Sequence, residues 1–320
     1  MHKGVLKFCR SVLIVVALVT IVDIAVGYLM DWMMPRTGNK GDLCLTNLGV
    51  NVIETPIVIV GSSRASHHYD PRIFADSLGK ATYNVGTDGC FFTHNCCVIN
   101  SILERYSPEL IIWEFSPSYL CEHGADDITS MYLYYNKRDY ITKTLNEVLP
   151  TSEVIKLNSN IYRYNSKFIR VLTRYLQNND TSDEYSGYEP SAPKSLKEPL
   201  SLVEEKSSST SVIDSSKLYR FKETVENAKT KGVKIVLVNS PKYAIDTNVY
   251  MTDTVTNLCQ YQGVTFIDCS QLYINHPEYF NDPVHLNSIG AELYTIYIIS
   301  MIKEQGLISD DDHLRIQQIY

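Results

Sequence analysis

The sequence predicts an α/β protein: a central parallel sheet of about five strands in a three-layer α/β/α arrangement, preceded by one transmembrane helix. Three observations carry this. Short, mainly apolar runs such as "IVIV" (57–60), "ELIIWEFS" (109–116) and "VKIVLVNSP" (233–241) alternate with amphipathic stretches of helical length. Those runs lack a polar alternation, as expected of strands buried on both faces of a parallel sheet. Near the start, "SVLIVVALVTIVDIAVGYLM" (11–30) is long and apolar enough to cross a bilayer as a helix.

Taken in order, the elements begin with that segment. Lys3, Lys7 and Arg10 precede it, and Asp23 is its only charge. One aspartate near mid-membrane costs about 2.5–3.5 kcal/mol, which the many Val, Ile and Leu residues can offset. The basic flank places the N-terminus in the cytoplasm and the bulk of the chain outside it, in the periplasm or at the cell surface. "AVG" (25–27) also fits a cleaved signal peptide, whereas the apolar character continuing through Trp32, Met33 and Met34 favours a retained anchor. Residues 1–34 are thus read as cytoplasmic N-terminus and anchor (or signal sequence), 35–54 as linker and lead-in, and 55–320 as the globular domain. Within the latter, strands are expected at 57–60, 81–86, 109–116, 233–241 and 264–268. Helices are expected at 70–79, 93–105, 216–232, 249–262 and 287–305. Asp70 and Pro71 start the first of these helices and Gly79 closes it.

Residues 120–215 interrupt the alternation as an insertion between the third and fourth strands. Helices are expected near 137–148 and 159–177, followed by a loop rich in Ser, Thr, Asp, Glu and Pro. The insertion is either a lid over the sheet edge or a surface excursion.

Bulk composition narrows the function classes. The chain has 320 residues, 44% of them hydrophobic, and a net charge of −7. No basic stripe is present, which argues against nucleic acid as a partner. The 23 tyrosines suit carbohydrate sites and ordinary cores alike. None of the eight cysteines forms a CxxC pair, so zinc-binding and thioredoxin-like readings are weak; most read as small buried hydrophobes, with one or two disulfides left open.

The chemistry-bearing stretches are "VGSSR" (60–64), "NVGTDG" (84–89) and "NDPVHLN" (281–287). A glycine directly after a buried strand lets the chain turn sharply at the C-terminal sheet edge, where open α/β sheets bind ligands. Ser63 is there a nucleophile or an ordinary turn residue. Asp282 and His285 are spaced so that the carboxylate can take the imidazole Nδ1 proton and leave Nε2 facing a serine. Alone, "NDPVHLN" would read as a helix cap with Asn287 capping.

These blocks, in this order, resemble the SGNH (GDSL-type) hydrolase superfamily, with a flavodoxin-like sheet, and most of all its membrane-anchored envelope branch of DltD-like and alginate-acetylase-like proteins. The resemblance covers 55–120 and 215–305. It implies Ser63 as nucleophile, with Ser62 standing where the family has aspartate, and Asp282 and His285 as its triad partners. It implies oxyanion donors in the Ser63 and Gly89 N–H groups. The family's Gly-x-Asn-Asp block is absent; "WEFSPSYL" (113–120) takes its place and Ser118 sits roughly where the asparagine donor would be. Ser118, Asn95 or the insertion could supply that third donor. The resemblance further implies an extracytoplasmic serine esterase or O-acyltransferase acting on an acylated envelope glycan or lipid, in the company of a membrane acyltransferase. A catalytically weak module that binds polysaccharide or such a partner is the alternative.

His67 and His68 are candidates for substrate contact near Ser63, or exposed loop residues. Arg64 binds substrate or pairs with an acid, and Glu114 is expected to make structural hydrogen bonds. The spacing of His67, His68 and Asp70 fits no standard metal-ligand pattern, and no cofactor is expected. His123 and His276 read as polar loop residues.

Overall fold

The computed structural model describes residues 2–121, 128–177, 183–192, 203–205, 212–246 and 249–308. His123 and much of the expected 178–215 loop lie outside the described residues. The chain divides into two compact units, Met1–Gly38 with Met131–Thr181 and Asn39–Ser130 with Ser182–Tyr320.

The first unit joins the N-terminal helix His2–Met33 to the helical part of the insertion. By length and composition the N-terminal helix can cross a membrane; its most apolar stretch has a mean hydropathy of 2.7. The insertion contributes helices Asp139–Val148, Thr151–Lys156, Asn160–Tyr164 and Phe168–Gln177. The single helix expected over 159–177 is broken around Asn165 and Ser166, residue types whose side chains compete with the backbone for hydrogen bonds.

The second unit is built on five parallel strands: β1 Ile57–Val60, β2 Thr82–Asn84, β3 Leu110–Glu114, β4 Lys234–Asn239 and β5 Thr265–Asp268. Their order is β2-β1-β3-β4-β5, the flavodoxin-like order. Ile57 pairs with Thr82 on one side and Leu110 on the other, and Trp113 pairs with Leu237. The β1 and β3 side chains are fully buried, which explains their continuous apolar runs. The direction of strand ordering reverses between β1 and β3. The carboxyl end of β1 is therefore a topological switch point, the place where such sheets form ligand crevices.

Residues 39–54 are not a linker. Asp42–Asn47 is helical and Leu48–Val52 forms a wide helical turn, with Leu43, Cys44, Leu45 and Val50 buried in the second unit. All eight cysteines are free thiols, five of them buried, so no disulfide staples either unit.

Candidate active site

Gly61 follows β1 and lies against the neighbouring strand: a Cβ there would meet Glu114 Cβ at 2.6 Å and Ala65 Cβ at 2.7 Å. Only glycine lets the chain turn so close to β3. The turn leads into a short helix, Ser63–His68, absent from the sequence reading, with Ser62 at its N-cap position. Ser63 is its first residue, so its N–H has no intrahelical acceptor. Among the described residues, no backbone carbonyl outside the regular elements accepts the N–H of Ser63 or of Gly89.

Asp282 and His285 meet through a tight antiparallel hairpin, Phe280–Asp282 with His285–Leu286, turning at Pro283-Val284. Tyr243 N–H donates to the Pro283 carbonyl (2.8 Å), and Asn287 caps the last helix by accepting from Gly290 N–H (3.0 Å). The Asp282 carboxylate accepts the N–H groups of Val284 (2.9 Å) and His285 (3.0 Å), which fixes its orientation. His285 Nδ1 donates to Asp282 Oδ2 at 2.9 Å, and its Nε2 accepts from Ser63 Oγ at 2.8 Å. Burial alone would raise the Asp282 pKa. The hydrogen bonds from His285 and the two backbone N–H groups outweigh it and hold the carboxyl below its usual range. The structure thus brings the three sequence-predicted residues into one hydrogen-bonded relay.

Beneath the relay lies a buried polar network. Arg64, read from the sequence as either a substrate contact or the partner of an acid, takes the second role: it pairs with Glu114 (3.0 Å) and donates to Asn239 Oδ1 and the Ser240 carbonyl, both at 3.2 Å. Glu114 also accepts from the Tyr69 hydroxyl and, at 3.4 Å, from Ser240 N–H. Burial pushes the Glu114 pKa up, and Arg64, Tyr69 and Ser240 only partly oppose the shift. His68 is fully buried and out of reach of a substrate. Its Nδ1 donates to Ser240 Oγ (2.9 Å) and its Nε2 accepts from Leu286 N–H (3.0 Å). That geometry requires the neutral ring, and burial, then Arg64 and His285, depress its pKa well below the usual value. His68 therefore ties the serine helix to the hairpin one residue beyond His285.

The second sequence block reaches the serine through the backbone. Val85 N–H donates to Ile59 O (2.9 Å) and Thr87 N–H to Gly61 O (3.0 Å). Asn84 Nδ2 donates to the carbonyls of Ala65 (2.7 Å) and Tyr69 (3.1 Å). Gly89 sits in this turn with φ +69°, a left-handed conformation suited to glycine. Its neighbour Asp88, missed by the sequence reading although it lies inside the quoted block, accepts from Ser66 Oγ at 2.5 Å and from His67 Nε2 at 3.3 Å.

His67 does stand beside the relay. Its ring meets that of His285 edge-on with centroids 5.7 Å apart. Its Nδ1 faces the Glu189 carbonyl (2.6 Å). Burial would lower its pKa, but the hydrogen bonds to Asp88 and the Glu189 backbone reverse the shift and raise it. Ligand atoms of His67, Asp88 and Glu189 lie within 4.8 Å of one another, a spacing that could hold a cation. Besides the contacts of Asp88 with Ser66 and of His67 with the Glu189 carbonyl, they make an ion pair between His67 and Asp88 and accept a hydrogen bond from Gly41 N–H at Glu189 Oε1 (3.0 Å).

The third block departs from expectation. Ser118 is exposed and its hydroxyl pairs with that of Ser116 (2.9 Å), not with the serine turn. The residue of this loop that reaches the turn is Tyr119, whose hydroxyl meets Ser62 Oγ at 2.8 Å. Asn95 is fully buried on the Phe92–Arg105 helix, and its Nδ2 has no hydrogen-bond partner among the described residues. A scan against models of protein families matches none of them, and a search of curated proteins finds no relative of this chain.

Proposed function

We propose that the second unit is an SGNH-type serine hydrolase or O-acyltransferase, its sheet sandwiched in the three-layer α/β/α manner. One observation carries the reading: Ser63 Oγ, His285 and Asp282 are joined by hydrogen bonds of 2.8 and 2.9 Å at the switch point of the sheet. His285 Nε2 takes the Ser63 proton as Oγ attacks an acyl ester, and Asp282 stabilises the resulting imidazolium. The oxyanion rests on the N–H groups of Ser63 and Gly89. His285 then protonates the leaving alcohol, and an acyl-serine remains. Water, or a hydroxyl of a second substrate, gives its proton to His285 and takes the acyl group.

In this reading the N-terminal helix anchors the enzyme, the second unit lies outside the cytoplasm, and the acyl ester belongs to an envelope glycan or lipid. The absence of a Ser118 contact at the serine turn favours a two-donor oxyanion hole, or a binding module with little turnover. A fluorophosphonate probe separates the two. Rapid labelling of the wild type, lost in Ser63→Ala and kept in Ser62→Ala, is expected. No labelling of folded wild-type protein would overturn the enzyme reading and leave the binding module.

A further inference from the structure

Asp23, the one charge inside the apolar N-terminal segment, is fully engaged. Its two carboxylate oxygens accept from Ser159 Oγ (2.6 Å), Asn160 N–H (3.0 Å), Asn160 Nδ2 (3.0 Å) and Ile161 N–H (2.9 Å). One turn on, Gly27 is buried, and a Cβ there would strike Asn160 Cγ at 2.5 Å. Two turns on, Asp31 accepts from Lys137 Nζ and the Tyr164 hydroxyl. Trp32 then packs on Tyr175 with ring centroids 5.4 Å apart. Positions 23, 27 and 31 form one stripe of the helix, and the insertion lies along it.

The change along the helix is abrupt. Every residue from 3 to 22 is exposed, whereas Asp23 and Val26 are half-buried and Gly27 and Met30 are buried. The bare stretch Val5–Val22 is about 18 residues, or about 27 Å at 1.5 Å per residue, close to the ~30 Å of a bilayer core. Lys7 and Arg10 fall within reach of its basic end and can snorkel to headgroups. Centring the span instead on 11–30 would sink the level of Asp23 in hydrocarbon. The exposed Lys156 and Asn158, beside the Ser159–Ile161 clamp, would go with it.

The insertion carries its own signals for lipid. Ile155 is 66% exposed, Ile161 43%, Ile169 73% and Leu176 71%. From Val154 to Gln177 the chain has Lys156, Arg163, Lys167, Arg170 and Arg174 and no acid, in a protein of net charge −7. Exposed aliphatic residues among cations are the composition of helices that lie in the headgroup layer.

We infer that the helical insertion of the first unit is a membrane-interface collar: its clamp on Asp23 sets the outer edge of the span, and Ile155 and Ile161 enter the lipid leaflet there. The occupant of this apolar face is lipid, because the face continues, at the level of Asp23, the lipid-facing surface of the helix itself. The insertion thereby serves to hold the anchor. The inference rests on the N-terminal helix being a membrane span, and the test separates the two.

The full chain, with Cys9, Cys90 and Cys121 replaced by serine, is reconstituted in phosphatidylcholine–phosphatidylglycerol vesicles. Nitroxide labels are placed singly at Val16→Cys, Ile155→Cys, Ile161→Cys and Tyr261→Cys, the last an exposed position of the second unit. Collision with oxygen, which partitions into lipid, is compared with collision with a water-soluble nickel chelate. The expected result is oxygen-dominated relaxation at 16, 155 and 161, shallower at 155 and 161, and nickel-dominated relaxation at 261. Nickel-dominated relaxation at 155 and 161 with 16 in lipid would overturn the collar and leave the anchor. A label at 161 as deep as that at 16 would overturn the boundary at Asp23. A nickel-dominated label at 16 would overturn both readings.

Discussion

Replacing Glu114 by leucine removes the acid that balances a buried guanidinium. Arg64 and Glu114 are both buried and lie 3.0 Å apart, and Glu114 also holds Tyr69 and Ser240. In Glu114→Leu, Arg64 keeps only neutral partners among the described residues: Asn239 Oδ1 and the Ser240 carbonyl, both 3.2 Å away, and the Tyr119 hydroxyl. Removing one partner of a buried pair costs about 3–5 kcal/mol, whereas replacing both by apolar residues is often neutral or stabilising. At about 2–4 °C per kcal/mol for a unit of this size, the single variant should melt about 6–20 °C below wild type. Arg64→Met combined with Glu114→Leu should recover most of that. The double variant should nevertheless label at Ser63 more slowly, because Arg64 no longer ties the serine helix to β4; a displacement of about 1 Å can cost about a hundredfold. Melting is followed through Trp113, buried on β3 beside Glu114, in a Trp32→Phe background, and labelling by fluorophosphonate. A single variant within about 2 °C of wild type, or a double variant melting as low as the single, would refute the account of the pair.

Asp282→Asn should slow labelling and ester turnover by about 10²–10⁴-fold, because the amide no longer selects the His285 tautomer; a loss under about tenfold would mean that the hairpin backbone alone orients the ring. Ser118→Ala should change turnover of a chromogenic acetyl ester by less than about twofold, whereas a fall of about 10²-fold would restore Ser118 as an oxyanion donor. The His67–Asp88 pair should appear in the pH dependence of stability. A histidine raised on folding stabilises in full below its unfolded value, about 6.5, and that stabilisation fades as pH rises through the folded value. Asp88 is held below its usual range first by His67 and keeps its contribution above about pH 3.9. Wild type should therefore lose more melting temperature than Asp88→Asn between about pH 6 and 8.5, and equal losses would refute the pair.

The strands were legible because parallel strands buried on both faces must be apolar throughout, and such runs have few other interpretations. Observed bounds for β1, β3, β4 and β5 fall within two residues of the expected ones. Helices longer than about two turns were legible from their period and caps. Residues 39–54 were misread as linker because a six-residue helix and a wide turn are too short to display a period. The short helix at Ser63 escaped for the same reason, though it aims the serine N–H groups.

Ser63, Asp282 and His285 were legible because each belongs to a local pattern: a glycine turn after a strand, and an acid and a histidine across a two-residue hairpin turn. What escaped were pairings across long stretches of chain. Arg64 and Glu114 are 50 positions apart, and although the one reads as a possible partner of an acid and the other as structural, nothing local joins them. His68 looked like a second candidate for substrate contact until Ser240 and Leu286, more than 170 positions away, proved to be its partners. Asp23 is the extreme case. In sequence it is only a cost to insertion, and its four donors lie 136 to 138 positions on, in a segment that no local pattern joins to the N-terminal helix. A buried or lipid-exposed acid must find donors somewhere, so an isolated charge in an apolar run predicts that a partner exists. Which segment supplies it is decided by the packing of the whole chain, and here it assigns the helical part of the insertion, Met131–Thr181, to the anchor's unit and not to that of the serine.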